Sequence, residues 1–217
     1  MKFLLYIMLL TSCTFFVCCT SPRIEWAMRD NPVGIPFSPK NLYSADALPK
    51  GLHRVLFMPV KSERVSSKEL ARLTDVFLSE LRRSERFSVV EVASTQQLIQ
   101  ANKDASLDLN QFSVLADQYD VQGILQLEVT HLRAYKPLHL GVKARLFTLD
   151  PENLQVLWAL DSLFDAGQDS VALGARMHAQ SYNQQVFPLS SSYTNLNVPS
   201  RFAAYVAFTI FNTLPKI

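Results

Sequence analysis

The alternation of apolar and polar positions predicts a folded domain over 51–217 that begins with a strand–helix–strand unit. Residues 54–60, RVLFMPV, form a short apolar run typical of a strand buried on both faces. Ser66 stands three residues before Glu69, a capping-box pattern, and apolar residues then recur at helical spacing to about position 81. A second strand follows at 87–92. Because both strands flank one helix, we expect a right-handed parallel crossover.

The apolar period changes to two in the second half of the chain. After helical segments at 94–101 and 109–119, alternation at 121–132, 140–147 and 156–160 predicts an antiparallel meander with one covered face, turning at DPEN, 150–153. A helix at 170–182, interrupted by Gly174, then precedes a polar stretch at 183–199 and a last helix, capped by Ser200, that runs to 214. The fold class is therefore α/β: a mixed sheet of about five strands, a parallel crossover followed by the meander, with helices packed on it.

The first 19 residues have the pattern of an export signal. Lys2 precedes an uninterrupted apolar run from position 3 to position 10, and the apolar character continues to about Cys19. This length is at the short edge for a membrane-spanning helix, which needs about 20 residues. We therefore predict that 1–19 is a signal peptide of the lipoprotein type.

All three cysteines lie in this leader, at Cys13, Cys18 and Cys19. Leu10, Thr11 and Ser12 before Cys13 resemble the bacterial lipobox, in which the cysteine becomes acylated, whereas Cys19 gives a more ordinary signal length. Acylation is thus expected at Cys13 or Cys19, with Cys18 the weakest candidate. The alternative is that none of the cysteines is acylated and that all three are apolar signal residues removed with the leader. No histidine lies near enough in sequence to complete a zinc site.

The segment 20–50 is predicted to be a tether. Five prolines, at positions 22, 32, 36, 39 and 49, work against regular structure because each removes a backbone donor and restricts the preceding residue. The formal net charge of the whole chain is +2, and its densest basic stretch, Arg82, Arg83 and Arg86, is interleaved with Glu80 and Glu85, so no nucleic-acid surface is expected.

No catalytic or metal-binding signature stands out in the sequence. The four histidines, His53, His131, His139 and His178, are widely separated, although His131 and His139 could approach each other across the turn near Pro137. The acids Asp161, Asp165 and Asp169 recur every four residues, but a strand end followed by a helix start explains them better than a calcium loop does. We therefore expect no cofactor, no metal and no enzymatic activity, and we take the polar stretch 183–199 as a candidate contact surface.

Four segments together resemble a group of envelope lipoproteins. They are RVLFMPV, LARLTDVFLSELRRSERFSVVEV, YDVQGILQLEV and RLFTLDPENLQVLWALDSLFDA, spanning about 54–166. The resemblance is to domains related to the curli-assembly protein CsgG and the penicillin-binding-protein activator LpoB. It implies a mixed sheet covered by helices and a role in assembling or regulating envelope machinery. A transmembrane pore is not expected, since the chain has no surplus pair of long amphipathic strands.

These observations favour a noncatalytic, lipid-anchored protein of the bacterial cell envelope, on the periplasmic face of the outer membrane, that binds a protein partner. One alternative is an oligomeric secretion or export component. A second alternative is a hydrolase whose site the sequence does not reveal.

Overall fold

The computed structural model describes residues 34–92, 109–150, 153–186 and 192–216. The strands in these residues are β1 (Leu42–Ser44), β2 (Arg54–Phe57), β3 (Ser88–Glu91), β4 (Gly123–Arg133), β5 (His139–Asp150) and β6 (Asn153–Asp165). The helices are α1 (Ser67–Arg83), α2 (Leu109–Tyr119), α3 (Asp169–Val186), α4 (Thr194–Asn197) and α5 (Pro199–Phe211). The strands form one mixed sheet in the order β1-β6-β5-β4-β2-β3.

The predicted parallel crossover is confirmed. β2 pairs in parallel with β3 on one side and with β4 on the other. The connecting helix α1 begins after Ser66, whose side-chain oxygen accepts a hydrogen bond from the Glu69 backbone N–H, as the capping-box pattern predicted. The apolar stripe of α1 then packs Leu73, Phe77 and Leu81 against the sheet.

The antiparallel meander of β4, β5 and β6 is also confirmed, and it turns between Asp150 and Asn153 as predicted. The prediction that only one of its faces is covered was incomplete. One face carries the main core under α1, α3 and α5. At the end next to β2, the other face packs Ile124 and Phe147 against Phe112 and Leu115 of α2, which forms a second, smaller core.

Part of the predicted tether belongs to the domain, because the compact unit of the described chain begins at Gly34. β1 pairs antiparallel with β6, which raises the strand number to six from the expected five or so. The Phe37 ring packs edge-on against Phe164 at 5.0 Å between ring centroids, and Leu48 is buried. The prolines shorten regular structure here without preventing the segment from packing.

The helices near the C-terminus differ from prediction in three ways. Helix α3 runs through Gly174 without interruption, and it extends to Val186, into the stretch predicted to be irregular. Within that same stretch, Thr194–Asn197 forms the short helix α4. Helix α5 begins at Pro199, with Val198 rather than Ser200 at the N-cap position and no side-chain cap. A proline suits this first position because its missing N–H needs no partner there.

Several predictions fall outside the described residues: the leader with its three cysteines, the tether before residue 34, and the helix at 94–101. Across the parts of the chain that the structure describes, no helix combines the length and the hydropathy needed to cross a membrane.

Candidate functional site

The strongest candidate site is a half-open groove on the helical side of the sheet, which we call the α1–α5 groove. It has a volume of about 370 Å³ and lies between the first half of α1, the turn joining β4 to β5, and the start of α5. Its floor is apolar and is formed by Leu73, Val76, Leu138, Leu140, Phe202 and Ala203. A volume of this size is typical of sites that take a small ligand or a few side chains.

The side of the groove along α1 follows directly from helical geometry. Glu69, Arg72, Leu73 and Val76 line it, at relative positions 0, 3, 4 and 7. Residues at this spacing form one stripe on a helix, so the charged pair comes first and the apolar pair continues toward the centre of α1. Glu69 is held at the start of the stripe, because its Oε2 accepts a hydrogen bond from Ser66 Oγ at 2.7 Å.

The opposite side of the groove carries two basic side chains, Arg133 at the end of β4 and His139 at the start of β5. The Arg133 guanidinium lies over the Tyr135 ring at 4.5 Å, and it donates to the backbone carbonyl of Lys136. The His139 Nε2 atom lies 3.0 Å from Asp165 Oδ1, without the geometry of a well-directed hydrogen bond. The groove therefore combines an apolar floor with a basic edge.

A second cavity, of about 580 Å³, lies between α3, α5 and the segment 36–39, and His178 and Tyr205 line it. Burial, and then the positive charge of Arg83, lower the pKa of His178 to about 4. Burial also raises the pKa of Tyr205 to about 12. Both side chains are thus neutral at pH 7.

The hydrogen bonds of Asn195 define the tautomer of His178. Asn195 Nδ2 donates to the Ala175 carbonyl at 3.1 Å and lies 3.0 Å from His178 Nδ1. Since the carbonyl can only accept, the amide nitrogen must be the atom that faces both groups, and Nδ1 must accept. The proton of the neutral ring is therefore on Nε2. If Nδ1 were protonated, its N–H would face the N–H of the Asn195 amide, and the two donors could not form a hydrogen bond.

The arginine that lines this second cavity, Arg83, is paired with a carboxylate. Arg83 Nη1 donates to both carboxylate oxygens of Glu80, at 2.7 and 2.9 Å. Burial raises the pKa of Glu80, although the attraction of Arg83 opposes the shift. This pair joins the end of α1 to the region of His178, and its contacts favour a structural role over a catalytic one.

The residues that the sequence singled out are mostly dispersed. His131 and His139 do approach each other, with ring centroids 5.7 Å apart, while His53 and His178 lie elsewhere. Asp161 pairs with Lys143 on β5, Asp165 ends β6 and accepts from the Gly167 N–H, and Asp169 begins α3. Among the described residues, no three His, Cys, Asp or Glu side chains converge on a possible metal position.

In the stretch 183–199, side chains are described from position 192 onward, and two of them are buried while most of the others are exposed. Ser192 and Asn195 are buried, and Ser192 Oγ accepts from Arg176 Nε at 3.2 Å. Tyr193 and Val198 remain partly exposed. The α1–α5 groove was not predicted from the sequence, because its walls come from three segments far apart in the chain. Only the stripe on α1 could have pointed to it.

No protein-family model and no curated protein matches the chain. Solved structures show a general likeness. The PelC dodecamer protein from Paraburkholderia phytofirmans has a TM-score of 0.48 and 13% identity over 81% of this chain and 96% of that one. Lipoprotein GNA1162 from Neisseria meningitidis has a TM-score of 0.39 and 16% identity, over 63% and 99% respectively.

The C-terminal domain of LpoB from Salmonella enterica is also similar, with a TM-score of 0.35 and 14% identity over 52% of this chain and 85% of that one. LpoB, which the sequence patterns resembled, is thus among the structures similar to the chain, whereas the likeness to CsgG stays a prediction. Because these TM-scores are below 0.5, the likenesses carry no argument about function. The α/β fold itself, a six-stranded mixed sheet covered by helices, is established by the structure of the chain.

Proposed function

We propose that the chain is a membrane-anchored lipoprotein of the bacterial cell envelope that has no catalytic role and binds a protein partner through the α1–α5 groove. The observation that carries the proposal is the groove itself, a half-open apolar cleft with a basic edge on the surface of the domain. Grooves of this kind commonly receive a segment of another protein.

Its lining supports binding rather than chemistry. The groove has one carboxylate, that of Glu69, whose oxygen is already occupied by the Ser66 hydroxyl. Its two arginines, Arg72 and Arg133, can orient a charged group but cannot act as a base at neutral pH. Its one histidine, His139, has its Nε2 atom turned toward Asp165 Oδ1, at 3.0 Å. Apolar side chains form the rest of the floor, which matches the composition of protein-binding clefts.

The anchor is supported by the sequence of the leader. An apolar run after Lys2 leads to Cys13 and Cys19, and no cysteine follows Cys19. Acylation would contribute about 0.8 kcal/mol for each buried methylene group, and more than one chain would be required for stable attachment. The domain would then lie at the periplasmic face of the outer membrane, within reach of an envelope partner.

Metabolic labelling with an alkyne fatty acid tests the anchor. We expect the label to enter the wild-type chain and to be lost in either Cys13→Ala or Cys19→Ala. Cys18→Ala serves as the matched control and should keep the label. Absence of label from the wild-type chain would contradict the anchor without affecting the groove.

Site-specific photo-crosslinking in cells tests the partner. A photoreactive amino acid at position 76 lies on the groove floor, whereas the same amino acid at position 75 lies on the exposed side of α1. We expect one discrete crosslinked product from position 76 and none from position 75. A product with twice the mass of the chain would instead favour the oligomeric export component, and no product from position 76 would remove the proposed function.

A further inference from the structure

We propose that the α1–α5 groove binds a short peptide segment in which apolar side chains lie next to a carboxylate, with Arg72 and Arg133 as the residues that bind this carboxylate. The inference rests on the proposed function, because it specifies the chemistry of the partner segment. Nothing in the leader or in the sequence motifs of the chain bears on it, so it depends on the groove alone.

The edge of the groove has two arginines, Arg72 and Arg133, that are available to bind a carboxylate. Within the described residues, neither Arg72 nor Arg133 has a carboxylate partner, and the Nε of Arg133 is buried without a hydrogen bond. Three arginines elsewhere in the domain do have a carboxylate partner: Arg54 pairs with Asp120, Arg82 with Glu91 and Arg83 with Glu80. An arginine that is partly desolvated and lacks an acid is suited to receive one from a partner.

The acids near the groove offset this charge only in part, because Glu69 is the one carboxylate among the lining residues, beside two arginines. Glu69 accepts the Ser66 hydroxyl at the start of α1, and Asp165 lies against His139. Helix α5 begins at the same edge, at Pro199, and has no side-chain cap. The positive end of its dipole therefore adds to the potential of the two arginines. Together these groups give the edge a positive surplus next to an apolar floor.

The length of the groove matches a short segment of extended peptide. From Glu69 to Val76 the stripe on α1 rises through seven residues, about 10 Å at ~1.5 Å per residue. An extended peptide places about three residues in that length, at ~3.3 Å per residue.

Binding of labelled peptides to the full-length chain, followed by fluorescence anisotropy, tests the inference. Three six-residue peptides share two central leucines and differ in their flanking residues, which are aspartates, serines or lysines. We expect the aspartate peptide to bind at least tenfold more tightly than the serine peptide, and the lysine peptide to bind most weakly. The preference should decrease as salt is added, because an exposed charge pair is screened.

Charge reversal gives the decisive comparison. In the double variant Arg72→Glu/Arg133→Glu, the order of the three peptides should reverse in favour of the lysine peptide. Arg145→Glu is the matched control: Arg145 is exposed and lies on the opposite face of the sheet, so the order should not change. Apolar binding is checked by Val76→Ser, which adds no charge and should weaken all three peptides alike.

Each other outcome overturns the inference. Equal affinity for the three peptides, or no binding of any of them at millimolar concentration, would remove the acidic segment as the occupant. A specific product from the photoreactive amino acid at position 76 would still leave the proposed function standing. Displacement of the aspartate peptide by vesicles containing anionic phosphatidylglycerol, but not by neutral vesicles, would assign the groove to a membrane surface instead.

Discussion

His178 occupies the wall between α3 and α5 as a neutral side chain, 7% exposed, with its Nδ1 accepting from Asn195. The packing around the ring explains why its pKa is lower than that of an exposed histidine. Phe208 lies 4.8 Å from its ring centre, and Tyr205 lies 6.1 Å away. These aromatic neighbours exclude water, and Arg83 adds a repulsive charge, so protonation is disfavoured in the folded state.

This arrangement predicts a loss of stability in mild acid. The ordinary pKa of 6.5 applies to His178 in the unfolded chain, and the folded chain holds it at about 4. The unfolded state therefore binds the proton first, so the free energy of unfolding falls as the pH drops from about 6.5 toward 4. We expect a loss of about 2 kcal/mol between pH 8 and pH 5, measured by urea unfolding.

His178→Gln isolates this contribution, because glutamine does not titrate. The variant should show a smaller loss than the wild-type chain over the same interval. Glu80 works in the opposite direction, since its raised pKa favours protonation of the folded state, and it is present in both proteins. Identical pH profiles for the two proteins would contradict the assigned role of His178.

At the scale of elements, the contact between α3 and α5 depends on one small residue. A Cβ at Gly174 would be 3.0 Å from the Tyr205 Cζ and closer still to its hydroxyl oxygen. Glycine would ordinarily be expected to weaken a helix by about 1 kcal/mol. Here its missing side chain allows α5 to approach α3, which is why the helix continues through a position that the sequence suggested as a break.

Gly174→Ala should therefore destabilise the domain by about 1 to 3 kcal/mol, despite the better helix propensity of alanine, because of overpacking. Tyr205→Phe alone should change the free energy of unfolding by no more than about 1 kcal/mol, because burial outweighs the interaction of the Tyr205 hydroxyl with the Thr209 side chain. Thermal and urea unfolding measure both effects.

The double variant Gly174→Ala/Tyr205→Phe tests whether the two residues interact. Removing the hydroxyl should recover part of the loss caused by alanine, leaving a coupling free energy of about 1 kcal/mol or more. Strict additivity of the two substitutions would show that the close approach does not control the packing of α3 on α5.

At the scale of the whole molecule, the segment that precedes β2 closes one side of the sheet. β1 covers part of the outer edge of β6, with Ala45 N–H donating to the Leu157 carbonyl and Asp161 N–H donating to the Asn41 carbonyl. Leu48 N–H donates to the carbonyl of Lys216, which joins this segment to the end of the chain. Without this segment, the outer edge of β6 would expose unpaired backbone N–H and C=O groups.

Truncation distinguishes this segment from the residues before it. A chain that starts at Gly34 should keep the unfolding free energy of the full domain, because the compact unit begins there. A chain that starts at Gly51 should lose about 3 kcal/mol or more, since it lacks the buried Leu48 and the Phe37–Phe164 contact. Urea unfolding measures the difference, and equal stability of the two chains would contradict the assigned role of the segment.

The sequence by itself determined the order and type of most elements. The capping box at Ser66 located the start of α1, and period-two alternation located β4, β5 and β6, because these signals are local and need no knowledge of distant residues. The apolar leader and its cysteines gave the anchor prediction in the same way. Dispersed histidines and acids likewise gave little reason to expect a metal site.

Only the tertiary structure decided what the local patterns left open. β1 is three residues long and exposed, so it has no apolar alternation and becomes a strand only because β6 offers a pairing edge. Gly174 stands within a continuous helix, where its missing side chain leaves room for the Tyr205 ring of α5. The α1–α5 groove arises from three segments that are distant in the chain, and the free charges of Arg72 and Arg133 depend on which acids folding brings near them.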